Sequence, residues 1–157
     1  MMDFEIFQRI TAALEREKVS YVVVGSMAMA AHGLVRATRD LDLFVAPTPD
    51  NVERLKNALR DTFHDPEVDG ISAEDLAGEY PAVQYVPPDG DFSIDILARL
   101  GEAFRYEDIE SETVDMEGLH VHVATPRMLY RMKRDTVRPQ DRLDADLIRR
   151  EFQIEDD

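Results

Sequence analysis

Apolar residues at Phe4, Phe7, Ile10 and Leu14 recur with charged residues between them. This is the spacing of an amphipathic helix and predicts one over residues 3–17, packed on other elements. Tyr21–Val24 is a short β-branched run closed by Gly25, which reads as a buried strand followed by a turn. Ser26 then reads as the N-cap of a helix over residues 27–32, rich in alanine, with Gly33 just past its end. Residues 41–45 predict a second strand, and residues 51–63 a helix after a loop at 47–50. Ser72 opens one helical turn. Residues 82–86 and 92–97 predict a hairpin about the turn Pro87-Pro-Asp-Gly90, and residues 113–116 and 119–124 a second hairpin about Glu117-Gly118. Pro126 opens a helix, and a last helix runs from about residue 142 to 152. Helices and strands do not alternate strictly, so the expected class is α/β (α+β), a mixed sheet flanked by helices.

With 157 residues and 17.9 kDa, the length fits a single domain, here read as a core over 1–124 and C-terminal helices over 126–153. Apolar residues make up 44% and charged residues 32%, enough for a packed core. The formal charge of −15 opposes non-specific attraction to nucleic acid or anionic lipid, so any such contact must be local. That charge is unevenly spread. Residues 127–150 hold 8 bases and 4 acids, whereas residues 1–126 hold 10 bases and 25 acids. The absence of cysteine excludes disulfides, thiolate metal sites and thiol nucleophiles, leaving oxygen and nitrogen groups for any chemistry. The acidic N-terminal stretch MMDFEIFQRI lacks a signal peptide's basic region, and no apolar run has the ~20 residues of a membrane helix, so a cytoplasmic protein is expected.

The chemistry concentrates in Thr38-Arg39-Asp40-Leu41-Asp42-Leu43-Phe44-Val45. On a strand, side chains alternate, so Asp40 and Asp42 share one face while Leu41, Leu43 and Val45 share the other. The two carboxylates stand about 6.6 Å apart along the strand and repel unless a cation lies between them. Such an oxygen-only pair suits Mg²⁺, usually held by one or two carboxylates plus substrate phosphates. In Phe92-Ser-Ile-Asp-Ile-Leu97 the same alternation turns Asp95 away from Phe92, Ile94 and Ile96, toward the face of the acidic pair if the two strands are neighbours. Gly25 permits close backbone approach, and Ser26 at a helix start offers a hydroxyl and backbone N–H groups to a phosphate.

This combination resembles the DNA polymerase β-like nucleotidyltransferase superfamily, whose signature is Gly-Gly or Gly-Ser, a strand with Asp-x-Asp, and a third Asp on a later strand. The fuller run GSMAMAAHGLVRATRDLDLFV is similar to the stand-alone AbiEii-type branch, the abortive-infection toxins of bacterial toxin–antitoxin pairs. The resemblance is strongest over residues 21–45, weaker over 92–97 and loose over 124–147. It implies a nucleotidyltransferase fold in which Gly25 and Ser26 hold nucleotide phosphates and Asp40 and Asp42 bind two divalent ions, Mg²⁺ or Mn²⁺. Asp95 would complete that site and help to deprotonate the acceptor. It also implies a basic residue in the first C-terminal helix, a place Lys133, Arg131 and Arg134 fill equally. Arg36, between the turn and the acidic pair, has a guanidinium suited to a carboxylate or phosphate. Arg39, where the smallest members carry Ser, and a longer step from Ser26 to Asp40 fit the toxin-like branch better.

The implied reaction moves a nucleoside monophosphate from a triphosphate to a hydroxyl acceptor, tRNA or protein first, with a cognate antitoxin as a further partner. Transfer to a small molecule such as an antibiotic is the next enzymatic reading. A non-catalytic binding or antitoxin module is the alternative from another class, and the intact set of Gly25, Ser26, Asp40, Asp42 and Asp95 speaks against it. Other conspicuous residues have plainer readings. His32 serves packing or capping as readily as a site, and His120 and His122 lack a third metal ligand. The methionines Met27, Met29, Met128 and Met132 are core filler.

Overall fold

The computed structural model describes residues 2–35, 37–78, 82–88, 90–136 and 138–155. The N-terminal periodicity gives α1 (Phe4–Arg16), whose Asp3 side chain caps it by accepting from Ile6 N–H, and whose Phe7, Ile10 and Leu14 are buried. The valine run is β1 (Tyr21–Val24), buried at all four positions, as a strand covered on both faces must be. It leads into α2 (Gly25–Ala31), β2 (Asp40–Val45), α3 (Pro49–Phe63) and the short α4 (Ala73–Ala77). The expected hairpins are β3 (Ala82–Tyr85) with β4 (Ser93–Leu97), and β7 (Ser111–Met116) with β8 (Leu119–Ala124). Between them lies a two-residue ribbon, β5 (Arg99–Leu100) with β6 (Phe104–Arg105). The chain ends in α5 (Pro126–Arg134) and α6 (Pro139–Phe152).

Six strands form one sheet in the order β3-β4-β2-β1-β8-β7. The β2–β4 and β1–β8 pairs are parallel and the rest antiparallel, so the sheet is mixed as the sequence predicts. The helices pack in two groups, α1 with α3 and α2 with α5 and α6. Leu41, Leu43, Ile94 and Ile96, the apolar residues alternating with the aspartates, are all fully buried. Among the described residues no helix is long and apolar enough to cross a membrane.

Three boundaries differ from the sequence reading. Helix α2 begins at Gly25 with no side-chain cap bond, so Ser26 lies inside its first turn instead of capping it. Helices α3 and α6 begin at Pro49 and Pro139, two and three residues earlier than expected, because proline at a first helical turn gives up a donor that has no partner there anyway. The β5–β6 ribbon and the 3₁₀ turns at Pro66–Gly70 and Tyr106–Asp108 are too short to leave a periodic signal. Gly33 does close α2. At φ +95° it donates to Ala30 O while Leu34 donates to Met29 O, the paired bonds of a Schellman end.

One buried amide ties the strands that carry the site to α3. Asn51, 1% exposed, accepts from Ser20 N–H at 2.7 Å and donates to Ser20 O at 3.0 Å and Ala46 O at 2.9 Å. It thereby joins the entry to β1 and the exit of β2. Asn51→Ala leaves these backbone groups unsatisfied in the interior. Urea titration should show a loss of about 2–4 kcal/mol of unfolding free energy; a loss within 0.5 kcal/mol (about the scatter of surface substitutions) would refute the assignment.

Candidate active site

Strand register builds the site. In the parallel β2–β4 pair, Asp40 stands opposite Ser93 and Asp42 opposite Asp95; Val24 of β1 flanks Asp42, and Gln84 of β3 flanks Asp95. Asp95, which the sequence placed beside the acidic pair only conditionally, is therefore the direct neighbour of Asp42. Two Asp-x-Asp-like segments lie edge to edge, forming a square of three carboxylates and one serine. The carboxyl groups of Asp42 and Asp95 hydrogen-bond to each other, and Asp40 Oδ1 accepts from Ser93 Oγ at 2.7 Å.

Burial raises the Asp42 pKa from 3.8 to about 7, assisted by the neighbouring Asp95 and Asp40 charges and the Asp95 hydrogen bond, while Lys133 opposes the shift. Gly25 explains how the backbone tolerates this group. Its φ is +69°, and a Cβ there would run into the Asp42 carboxylate. The turn and the acid thus occupy one volume that only glycine leaves free.

The three carboxylates floor a cleft with two lobes, Asp42 and Asp95 facing both and Asp40 the polar one. A polar lobe of about 400 Å³ includes Ser26, Thr38, Arg39, Asp40 and Gln140 in its wall. A more apolar lobe of about 430 Å³ runs the other way along Ala82, Gln84, Leu97, Leu100, Leu129 and Met132. Gly25, Asp42, Asp95, Lys133, Arg138 and Asp141 line both. Of the three bases the sequence left equivalent, only Lys133 reaches this cleft; Arg131 and Arg134 line a neighbouring cavity. The Lys133 ammonium lies 3.0 Å from Asp144 Oδ2 and 3.5 Å from Asp141 Oδ1. Gln140 donates to Asp144 Oδ1 at 2.9 Å, and Thr136 Oγ1 to Asp141 Oδ2 at 3.0 Å. Arg36 lies outside the described residues.

Sequence reasoning missed Ser93, Gln84, Arg138, Asp141 and Asp144. The signal for Ser93 was available, since it precedes Asp95 by two and shares its face. Asp141 and Asp144 share one helix face only once the last helix is started at Pro139, three residues before the start the sequence suggested. The plainer readings hold for the histidines. The His32 Nε2–H donates to Ala124 O at 2.8 Å with the ring edge-on to Phe152, and His122 sits against Tyr21 and Glu15. Met27, Met29 and Met128 are core residues, whereas Met132 is also a cleft wall.

Among the described residues no three His, Cys, Asp or Glu side chains already converge as a metal cluster. The donor chemistry nevertheless fits a hard cation. The site offers oxygen ligands only, and a cation can replace the proton that lets Asp42 and Asp95 stand together.

Several solved structures are similar to this one in overall fold. The chain is similar to a protein of Thermotoga maritima assigned as a nucleotidyltransferase (TM-score 0.57, 14% identity, 95% of this chain and 91% of that one). It is similar also to ANT(2″)-Ia, solved with adenylyl-2″-tobramycin (0.55, 13%, 94% and 88%). A third likeness is to an antigenic nucleotidyltransferase-like protein of Paracoccidioides brasiliensis (0.54, 16%, 92% and 73%). At such identities these likenesses establish the nucleotidyltransferase fold. No curated protein sequence matches the chain. The family model described as nucleotidyl transferase AbiEii toxin, type IV toxin–antitoxin system, matches residues 6–148, and the chain belongs to that family.

Two predictions test this geometry. Folded Asp42 retains a proton that the unfolded chain releases above its ordinary pKa, so its contribution to stability falls as pH rises from about 4 to 7. In EDTA, Asp42→Asn should therefore gain stability relative to wild type as pH rises from about 4 to 7, by at most about 1.4 kcal/mol per unit; parallel pH curves for the two proteins would contradict the shift. Gly25→Ala should cost at least about 1–2 kcal/mol from the left-handed φ alone, and more from the collision with Asp42. In an Asp42→Ala background only the first part should remain, so a double-mutant cycle with no coupling would exclude the collision.

Proposed function

We propose that this chain is a metal-dependent nucleotidyltransferase that moves a nucleoside monophosphate from a triphosphate to a hydroxyl of tRNA or protein, as the toxin of a toxin–antitoxin pair. The observation that carries this reading is the register pair Asp42–Asp95, two carboxylates side by side at the floor of a two-lobed cleft. Family membership supports a nucleotide substrate and a cognate antitoxin. Asp40, Asp42 and Asp95 would hold divalent ions, Mg²⁺ or Mn²⁺. When bound, such ions stabilise charge on the attacking and leaving oxygens of an in-line displacement.

The residues divide the remaining work between the lobes. Gly25, with no side chain, leaves room for a phosphate near Asp42, and Ser26, Arg39, Lys133 and Arg138 supply donors and positive charge on the polar side. The triphosphate therefore takes that lobe. Ala82, Leu97, Leu100, Leu129 and Met132 give the other lobe apolar walls, where the less charged part of the acceptor excludes water beside Asp95. Asp95 accepts the proton of the acceptor hydroxyl, whose oxygen attacks the α-phosphorus as pyrophosphate leaves. Positioning and charge stabilisation supply most of such a rate enhancement.

The test incubates wild type and Asp42→Asn with each α-labelled triphosphate and Mg²⁺ or Mn²⁺, offering tRNA, cell protein and an aminoglycoside. Wild type should label tRNA or protein, and Asp42→Asn should lose at least about 100-fold of that rate. Label on the aminoglycoside would favour the small-molecule reading. Absence of labelling, together with no calorimetric binding of any triphosphate, would favour the non-catalytic module.

A further inference from the structure

We infer that Ser93 is a positioning residue of the proposed metal site, holding the Asp40 carboxylate in place for a divalent cation through a hydrogen bond backed by Gln84. The inference rests on the metal-dependent reading above, but adds a residue that neither the Gly-Ser nor the Asp-x-Asp pattern contains.

The square of side chains makes the case. Its corners are Asp40, Asp42, Asp95 and Ser93, on two strands locked in parallel register. Asp42 and Asp95 steady each other by their own hydrogen bond. Asp40, at the exposed start of β2, has no such acidic partner across the strands and meets Ser93 instead. A serine hydroxyl carries one proton. Here that proton is donated to Asp40 Oδ1 at 2.7 Å, so the hydroxyl oxygen is left as an acceptor. Gln84 Nε2 approaches that oxygen at 3.5 Å, a long contact that gives the chain one direction, from amide to hydroxyl to carboxylate.

The direction has a chemical consequence. Asp40 is the acceptor in this chain, so the arrangement fixes one of its oxygens while the other stays available to a cation. Ser93 is 7% exposed, so the donor side of the bond is held in the interior. A fourth carboxylate at this corner would add repulsion to a square that already holds three acids. An alanine would leave Asp40 to swing on the end of a strand. Serine supplies a donor without a charge.

Partners of this kind, one shell outside the metal, change affinity by about 10–100-fold when removed. The experiment is Mn²⁺ binding without nucleotide, read by calorimetry and by the electron paramagnetic resonance of free Mn²⁺. Wild type, Ser93→Ala, Ser93→Thr, Gln84→Ala and Asp42→Asn are compared, with melting temperatures measured in EDTA. Ser93→Ala should weaken Mn²⁺ by at least about 10-fold, Ser93→Thr should return it to within about 3-fold of wild type, and Gln84→Ala should have the smaller effect its longer contact implies. Ser93→Ala binding within about 2-fold of wild type, while Asp42→Asn loses the ion, overturns the role of Ser93 alone and leaves the metal reading standing. Equal weakening in Ser93→Ala and Ser93→Thr also overturns it, because the hydroxyl would then not be what matters. No Mn²⁺ binding by wild type, or binding that Asp42→Asn leaves unchanged, overturns both.

Discussion

The site depends on keeping two acids, Asp42 and Asp95, side by side in a partly buried place. Like charges about 4 Å apart near a protein surface repel by roughly 4 kcal/mol, and desolvation adds to the cost of charging either. The apolar residues on the same two strands answer this strain. Leu41, Leu43, Ile94 and Ile96 are fully buried, and burying each is worth ~1.5–3 kcal/mol, so the register is held even while the acids resist it. A slip of one residue would send the leucines toward the cleft and the acids into the core. The hydrophobic face thus fixes the geometry that the polar face would abandon.

The same constraint reaches outward through neighbouring residues. Because Asp42 fills the space over the β1–α2 turn, position 25 must lack a side chain and accept φ +69°. Its burial also needs relief, which a proton and the positive charge of Lys133 beside it supply. A protein selected for stability alone would place an amide or an apolar residue at 42. Retaining an acid whose pKa is pushed up to about 7 exchanges stability for a group that can gain or lose a proton near neutral pH.

Much of this was legible in the sequence because alternation on a strand is a local property. Residues 40–45 and 92–97 showed which side chains share a face, and hence which acids leave the core. What no local pattern carried was the parallel pairing of β2 with β4, since their partners are more than fifty residues apart and the chain between them reads weakly. The C-terminal wall was hidden for another reason. A helix begun at residue 142 leaves Asp141 in a loop, whereas the true start at Pro139 puts Asp141 and Asp144 together on the side that faces Lys133. An error of three residues at one boundary concealed an ion cluster. The net charge of residues 127–150 is a sum over a segment and does not show that Lys133 is paired with Asp141 and Asp144.

That pairing gives the cleft its electrostatic design. The carboxylate floor of Asp40, Asp42 and Asp95 is faced by the ammonium of Lys133, which is backed by Asp141 and Asp144 of α6. Three layers of alternating sign are stacked between the sheet and the last helix. Lys133 is only 12% exposed at its side chain and Asp144 only 3%, so neither charge could stay there unpaired. In the proposed reaction, the positive charge of divalent cations would suit this carboxylate floor and the phosphate oxygens would suit Lys133. Removing Asp144 would therefore alter more than one ion pair, because Lys133 would be left with only Asp141 of the two acids that now draw it toward α6.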